Sequence, residues 1–176
     1  MATLVLLWGN NIKNKRWIQK VNQTLLPFYD TTHIHFYRHR DKEGKNMDIE
    51  YECEQLYEYL KGITWSIIIF CKSLWCLLAL KLMVEKEIFI KQSIFVWFPL
   101  WYTELHAFPI EKYIKELTSP ILWIQHTNDP AWWYTTIAEK LWSISPAFTC
   151  EDIPGETHDY PEINILQKII LKNNAT

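Results

Sequence analysis

Three residues whose types suit acyl transfer lie in the order Ser73, Asp129, His158. A hydroxyl is a weak nucleophile until a base takes its proton; an imidazole can do so near neutral pH, and a carboxylate behind it fixes the ring and stabilises the charge it gains. Ser73 lies in Cys71-Lys72-Ser73-Leu74-Trp75, directly after the apolar run Ile67 to Phe70 and before an apolar helical stretch. A sharp strand-to-helix turn at such a place lifts a serine above the carboxyl edge of a sheet, normally as Gly-x-Ser-x-Gly because strand and helix approach closely. Here Cys71 and Trp75 stand at the two glycine positions, and a serine that only N-caps the helix is the competing reading. Asp129 follows the run ILWIQ in His126-Thr127-Asn128-Asp129-Pro130, and His158 lies in Pro154-Gly155-Glu156-Thr157-His158-Asp159-Tyr160. Helix capping competes for Asp129, and Asp152 and Asp159 are rival acids.

The other histidines carry weaker chemistry. His126, at a strand end close to Asp129, could line the same cleft, but reads first as a solvated loop residue. His33, His35 and His39 would need to share one face with an acid to hold a metal, and His106 has no nameable partner.

Elements that could place these groups recur along the chain. Strand-length apolar runs occur at Leu4 to Leu7, His33 to Tyr37, Ser66 to Phe70, Ser93 to Phe98, Ile121 to Gln125 and, more weakly, Phe148 to Ile153. Between them, apolar residues fall at helical spacing: Trp17, Val21 and Leu25; Ile49, Leu56, Tyr59 and Leu60; Leu74, Leu77, Leu78 and Leu82; Ile110, Ile114 and Leu117; Ile137, Ala138 and Leu141; Ile163, Leu166, Ile169 and Ile170. Alternating strands and helices with wholly apolar central strands predict an α/β three-layer sandwich, its parallel sheet covered on both faces. No Gly-x-Gly-x-x-Gly follows the first strand, which argues against a dinucleotide site; a flavodoxin-like domain remains open on pattern alone.

A chain of 176 residues suits one domain spanning 1–176. Its net charge of -2 gives no reason to expect nucleic acid or an anionic membrane as partner. The apolar stretch Ile63 to Leu80 contains Lys72, which near mid-span costs about 3 kcal/mol of insertion energy, so a buried strand and helix are expected there rather than a membrane span. Cys53, Cys71, Cys76 and Cys150 show no paired spacing, and the start MATLVLLWGN lacks a basic segment or cleavage site; both fit reduced thiols and a cytoplasmic location.

In these residues the chain resembles the small, lidless α/β-hydrolases, including the dienelactone-hydrolase-like and RBBP-type serine hydrolases: a loop Trp8-Gly9-Asn10-Asn11 after the first strand, the elbow CKSLW, a strand ending in Asn-Asp-Pro, and a late Gly-x-x-His. The resemblance implies a mainly parallel six-stranded sheet of order 2-1-3-4-5-6 without a lid domain. It also implies catalysis by Ser73, His158 and Asp129, an oxyanion hole from the backbone N–H groups of Leu74 and the Gly9–Asn10 loop, a small acyl substrate such as a carboxylic ester, and no metal or cofactor. The alternative is a noncatalytic binding protein of the same fold with a degenerate elbow.

Ten Trp against four Gly is an inverted ratio for a fold whose turns need glycine. Trp75 stands at the second elbow glycine, Trp97 at the end of the fourth strand run and Trp8 before Gly9, while Trp101, Trp132 and Trp133 fall at loops or helix starts where the resemblance predicts small residues. One expectation is that some are UGA triplets read as glycine in the source cell; the other is a Trp-rich surface or cleft. An indole at position 75 is expected to crowd the elbow at a cost of roughly 1 to 3 kcal/mol.

Overall fold

The computed structural model describes residues 1–9, 11–38, 48–99, 108–130 and 134–174. Strands β1 (Ala2–Leu7), β2 (Thr31–Ile34), β3 (Ser66–Lys72), β4 (Gln92–Val96), β5 (Ile121–His126) and β6 (Phe148–Ile153) form one parallel sheet in the order β2-β1-β3-β4-β5-β6. Helices α1 (Lys13–Leu25), α2 (Ile49–Leu60), α3 (Trp75–Glu85), α4 (Ile110–Glu116), α5 (Tyr134–Ile144) and α6 (Ile163–Asn174) follow the strands in turn.

Chirality assigns the helices to layers. The β1-to-β2 connection runs outward in one direction and every later connection runs in the other, so right-handed crossovers place α1 on the face opposite α2 to α5. The contacts agree: α1 packs on α6, whereas α2, α3, α4 and α5 touch in a row. This is the three-layer arrangement the alternating pattern predicts.

Burial explains the strand compositions. In β3 the six residues from Ile67 to Lys72 are buried, which requires a continuous apolar run rather than alternation. The edge strand β6 has only its ends, Phe148 and Ile153, buried and tolerates Glu151 and Asp152 between them. Helix α3, covered by α2 and α4, is apolar around nearly its whole circumference.

Two strands end earlier than the sequence reading placed them. β2 ends at Ile34; just beyond it the His35 ring meets Glu52 and the Tyr37 hydroxyl donates to the carbonyl of Trp8. β4 ends at Val96, because Trp97 adopts φ 56°, a left-handed conformation that breaks the extended chain.

The direction of crossover reverses between β1 and β3, which pair with Leu7 opposite Cys71. Open α/β sheets form their crevice at the carboxyl ends of the strands flanking such a reversal. Trp8–Gly9 and Lys72–Ser73 emerge there side by side.

Candidate active site

Ser73 occupies the turn between β3 and α3 with φ 62°. A left-handed conformation costs a non-glycine residue on the order of 1 to 2 kcal/mol, so neighbouring bonds must hold it. They do: the Ser73 amide donates to the carbonyls of Val96 at 3.0 Å and Trp97 at 3.1 Å, and its own carbonyl accepts from the Cys76 amide at 2.9 Å. The side chain is left partly exposed at the carboxyl edge. Cys71 and Trp75 are both buried and neither has a positive φ, so the left-handed residue of this turn is Ser73 itself. The indole expected to crowd the elbow stacks on a neighbouring ring. The Trp75 indole lies 3.7 Å from the Tyr37 ring at an interplanar angle of 7°, and Tyr37 stacks in turn on Trp8.

Asp129 lies beyond β5 and is fully buried. Its Oδ2 accepts from His158 Nδ1 at 3.2 Å and from the Tyr160 hydroxyl at 3.0 Å. Burial, followed by the Asp129 charge, pushes the Tyr160 hydroxyl well above its ordinary range, so it remains a donor. Of the rival acids, Asp152 accepts from Thr127 at 3.1 Å, and Asp159 is exposed; His158 bonds to neither among the described residues. With Nδ1 committed to Asp129, the other ring nitrogen of the partly exposed His158 is the one placed to accept a proton. Trp97 packs edge-on against this imidazole, ring centroids 4.0 Å apart. Among the described residues no hydrogen bond joins the Ser73 hydroxyl to His158; such contacts are often loose until substrate is bound. The Leu74 amide donates to no described backbone carbonyl, Gly9 is buried at the switch point, and Asn10 lies outside the described residues.

The segment carrying His158 is anchored by groups that sequence reasoning passed over. His126 is not solvated. It is fully buried at the end of β5, its Nδ1 donating to the Thr157 carbonyl at 2.6 Å and its Nε2 lying 3.0 Å from the Glu162 carboxylate. Its ring stacks on Tyr160 at 4.1 Å, and its amide donates to the Tyr160 hydroxyl at 3.2 Å. Gly155 is required here, since a Cβ would stand 2.7 Å from the His126 ring.

Lys72 is fully buried at the end of β3. Its Nζ donates to Asn14 Oδ1 at 3.0 Å and to the Asp159 carbonyl at 3.1 Å, and faces the rings of Trp17 and Tyr160. Burial lowers its pKa to about 8, against the pull of Asp159 and Asp129. The sequence signal was present in the only charge within an apolar strand, directly before the candidate nucleophile.

The remaining candidates have structural occupations. His33 stacks on Tyr59, and His35 pairs with the buried Glu52 at 2.9 Å. Among the described residues no group of three His, Cys, Asp or Glu could hold a metal; His39 and His106 lie outside them. Two surface concavities, one bordered by Met1, Trp65 and Phe89 and the other by Phe28, Lys91 and Pro120, lie toward the amino edge of the sheet, away from Ser73.

Solved structures with this architecture are numerous. An α/β serine hydrolase homologue from Coxiella burnetii superposes with a TM-score of 0.77 at 16% identity, covering 98% of this chain and 84% of that one. The chain has the α/β-hydrolase fold. Est1E from Butyrivibrio proteoclasticus with ferulic acid bound gives a TM-score of 0.76 at 17% identity over 100% and 90% of the two chains. An N-formylmaleamic acid deformylase from Pseudomonas putida gives 0.72 at 15% identity over 96% and 90%. No protein-family model and no curated protein matches the sequence. Among the described residues no helix is long and apolar enough to cross a membrane.

Proposed function

We propose that this α/β-hydrolase-fold protein is a serine hydrolase that cleaves a carboxylic ester or a similar small acyl compound through an acyl-enzyme. The observation that carries the reading is the left-handed Ser73, held at the switch point of the same sheet edge at which His158 bonds to buried Asp129. In the proposed reaction the Ser73 hydroxyl adds to the acyl carbonyl as His158 takes its proton. The tetrahedral oxyanion is met by the backbone N–H groups of Leu74 and the Gly9–Asn10 loop. Collapse expels the alcohol, which takes the proton from His158, and leaves acyl-Ser73; water then repeats the sequence and releases the acid. Asp129 keeps the imidazole in the tautomer that accepts at Nε2. The chemistry needs neither metal nor cofactor. Within the fold, the likeness of the elbow, first loop and late Gly-x-x-His favours the small, lidless hydrolases, as one domain in the cytoplasm.

A fluorophosphonate probe tests this. Labelling of a single serine, lost in Ser73→Ala, is the expected result. A second reading, a noncatalytic binding protein, is favoured by the contact of Trp97 with His158. Absence of labelling in the folded protein and in Trp75→Gly and Trp97→Gly would establish it over the enzyme.

A further inference from the structure

Lys72 has no place in the acyl-transfer scheme, yet it borders the first loop, the elbow and the segment that carries His158. Its aliphatic stem runs beside Gly9, where an added Cβ would lie 3.6 Å from Lys72 Cδ. Its ammonium binds Asn14, which opens α1 after the first loop, and the carbonyl of Asp159, the residue after His158. Its backbone leads directly into Ser73. The charges and titratable groups that face it are the Asp129 and Asp159 carboxylates and the Tyr160 phenol, with the Trp17 ring from α1. A buried lysine is costly unless its donors and charge are matched, and a methionine would fill the same volume more cheaply.

We propose that Lys72 is a positioning residue of the candidate site, its ammonium tying the first loop, the elbow and the segment that carries His158 into one unit. The proposal rests on the reading of Ser73, His158 and Asp129 as the catalytic groups. The partners divide the work: Asn14 and the Asp159 carbonyl fix where the ammonium sits, while the Asp159 and Asp129 carboxylates and the two rings favour its charged form. Losing that charge therefore weakens the hold on both sides of the nucleophile at once. An ammonium on the surface would be screened and its bonds would transmit little; this one is enclosed.

The test begins with the unmodified protein, so it does not depend on a variant that folds. In selectively labelled protein followed by NMR from pH 6.5 to 9.5, the Lys72 side chain is expected to titrate near pH 8. The amides of Asn14, Asp159 and Tyr160 should move with the same midpoint. Flat amide resonances, or midpoints that differ from that of Lys72, would overturn the proposal. In Lys72→Met, amide exchange at residues 157–160 should quicken at least tenfold. Fluorophosphonate labelling should slow at least tenfold in its maximal rate, with little change in the half-saturating probe concentration. A folded Lys72→Met with unchanged exchange and labelling would also overturn it. If Ser73 never labels but the shared midpoint is found, the acyl-transfer reading fails while the tie made by Lys72 stands.

Discussion

Tyr160→Phe removes one oxygen and leaves the ring, which makes it a clean probe of the network beneath His158. That oxygen donates to Asp129 at 3.0 Å and accepts from the His126 amide at 3.2 Å, both partners being fully buried. A hydrogen bond to a charged group contributes about 1.5 to 3 kcal/mol, and a buried N–H left without an acceptor costs about 1 to 3 kcal/mol. The stack on His126 and the contact with Lys72 survive, since they use the ring. Allowing for the easier burial of Phe, we expect a loss of about 3 kcal/mol, which for a chain of this length lowers Tm by roughly 6 to 12 °C. The assay is thermal and urea unfolding at pH 7. It is completed by a cycle with Asp129→Asn, in which the two changes should couple by at least about 1 kcal/mol because they share one bond. A Tm within a degree of the parent, or strictly additive changes, would refute the network. The segment bearing His158 would then owe its position to something else.

Lys72→Met should be more stable than the parent at pH 7, with an advantage that shrinks as pH rises. A lysine whose folded pKa is depressed to about 8, from 10.5 unfolded, lowers stability most below pH 8 and ceases to do so above 10.5. The parent should therefore gain on the order of 3 kcal/mol on the variant across that window in urea titrations at several pH values. Gly155→Ala drives a methyl into an imidazole pinned at both nitrogens, and should cost about 1 to 3 kcal/mol in the same assay. Trp97→Gly should cost only about 1 kcal/mol, against the 3 to 5 kcal/mol usual for truncating a buried Trp. It relieves a left-handed residue and an indole N–H that is buried without a partner among the described residues. It should also speed labelling of Ser73, and a destabilisation above 4 kcal/mol would count against the strain.

The fold was legible because its signals are local. Strand-length apolar runs between turn residues fit strands covered on both faces, and the helical spacings of α1, α3 and α5 fall on residues that are buried. Ser73, Asp129 and His158 were legible from chain order and from their places just past strand ends. The supporting groups were not, since what singles them out is contact across long separations. Trp17 donates to the Tyr160 carbonyl, Tyr160 to Asp129, and Lys72 to the Asp159 carbonyl, none of which leaves a periodic trace. His126 was misread for the same reason. A histidine beside Thr, Asn, Asp and Pro looks like a loop residue until the returning chain from Gly155 to Glu162 is seen to close over it.

The tryptophans divide along physical lines that the sequence could not draw. At positions 8 and 75 the indole has a built environment: Trp8 donates to the His35 carbonyl at 2.8 Å, and both indoles stack on Tyr37. Glycine at 75 would leave one face of Tyr37 against a cavity, and the φ there does not ask for it. At position 97 the backbone is left-handed, the indole nitrogen has no described acceptor, and the ring lies against the imidazole that the proposed reaction needs. Glycine there would satisfy the backbone and clear His158 together. A recoded UGA triplet thus has a structural motive at 97 and none at 75, although both positions looked equally anomalous when read against the elbow and strand-end patterns.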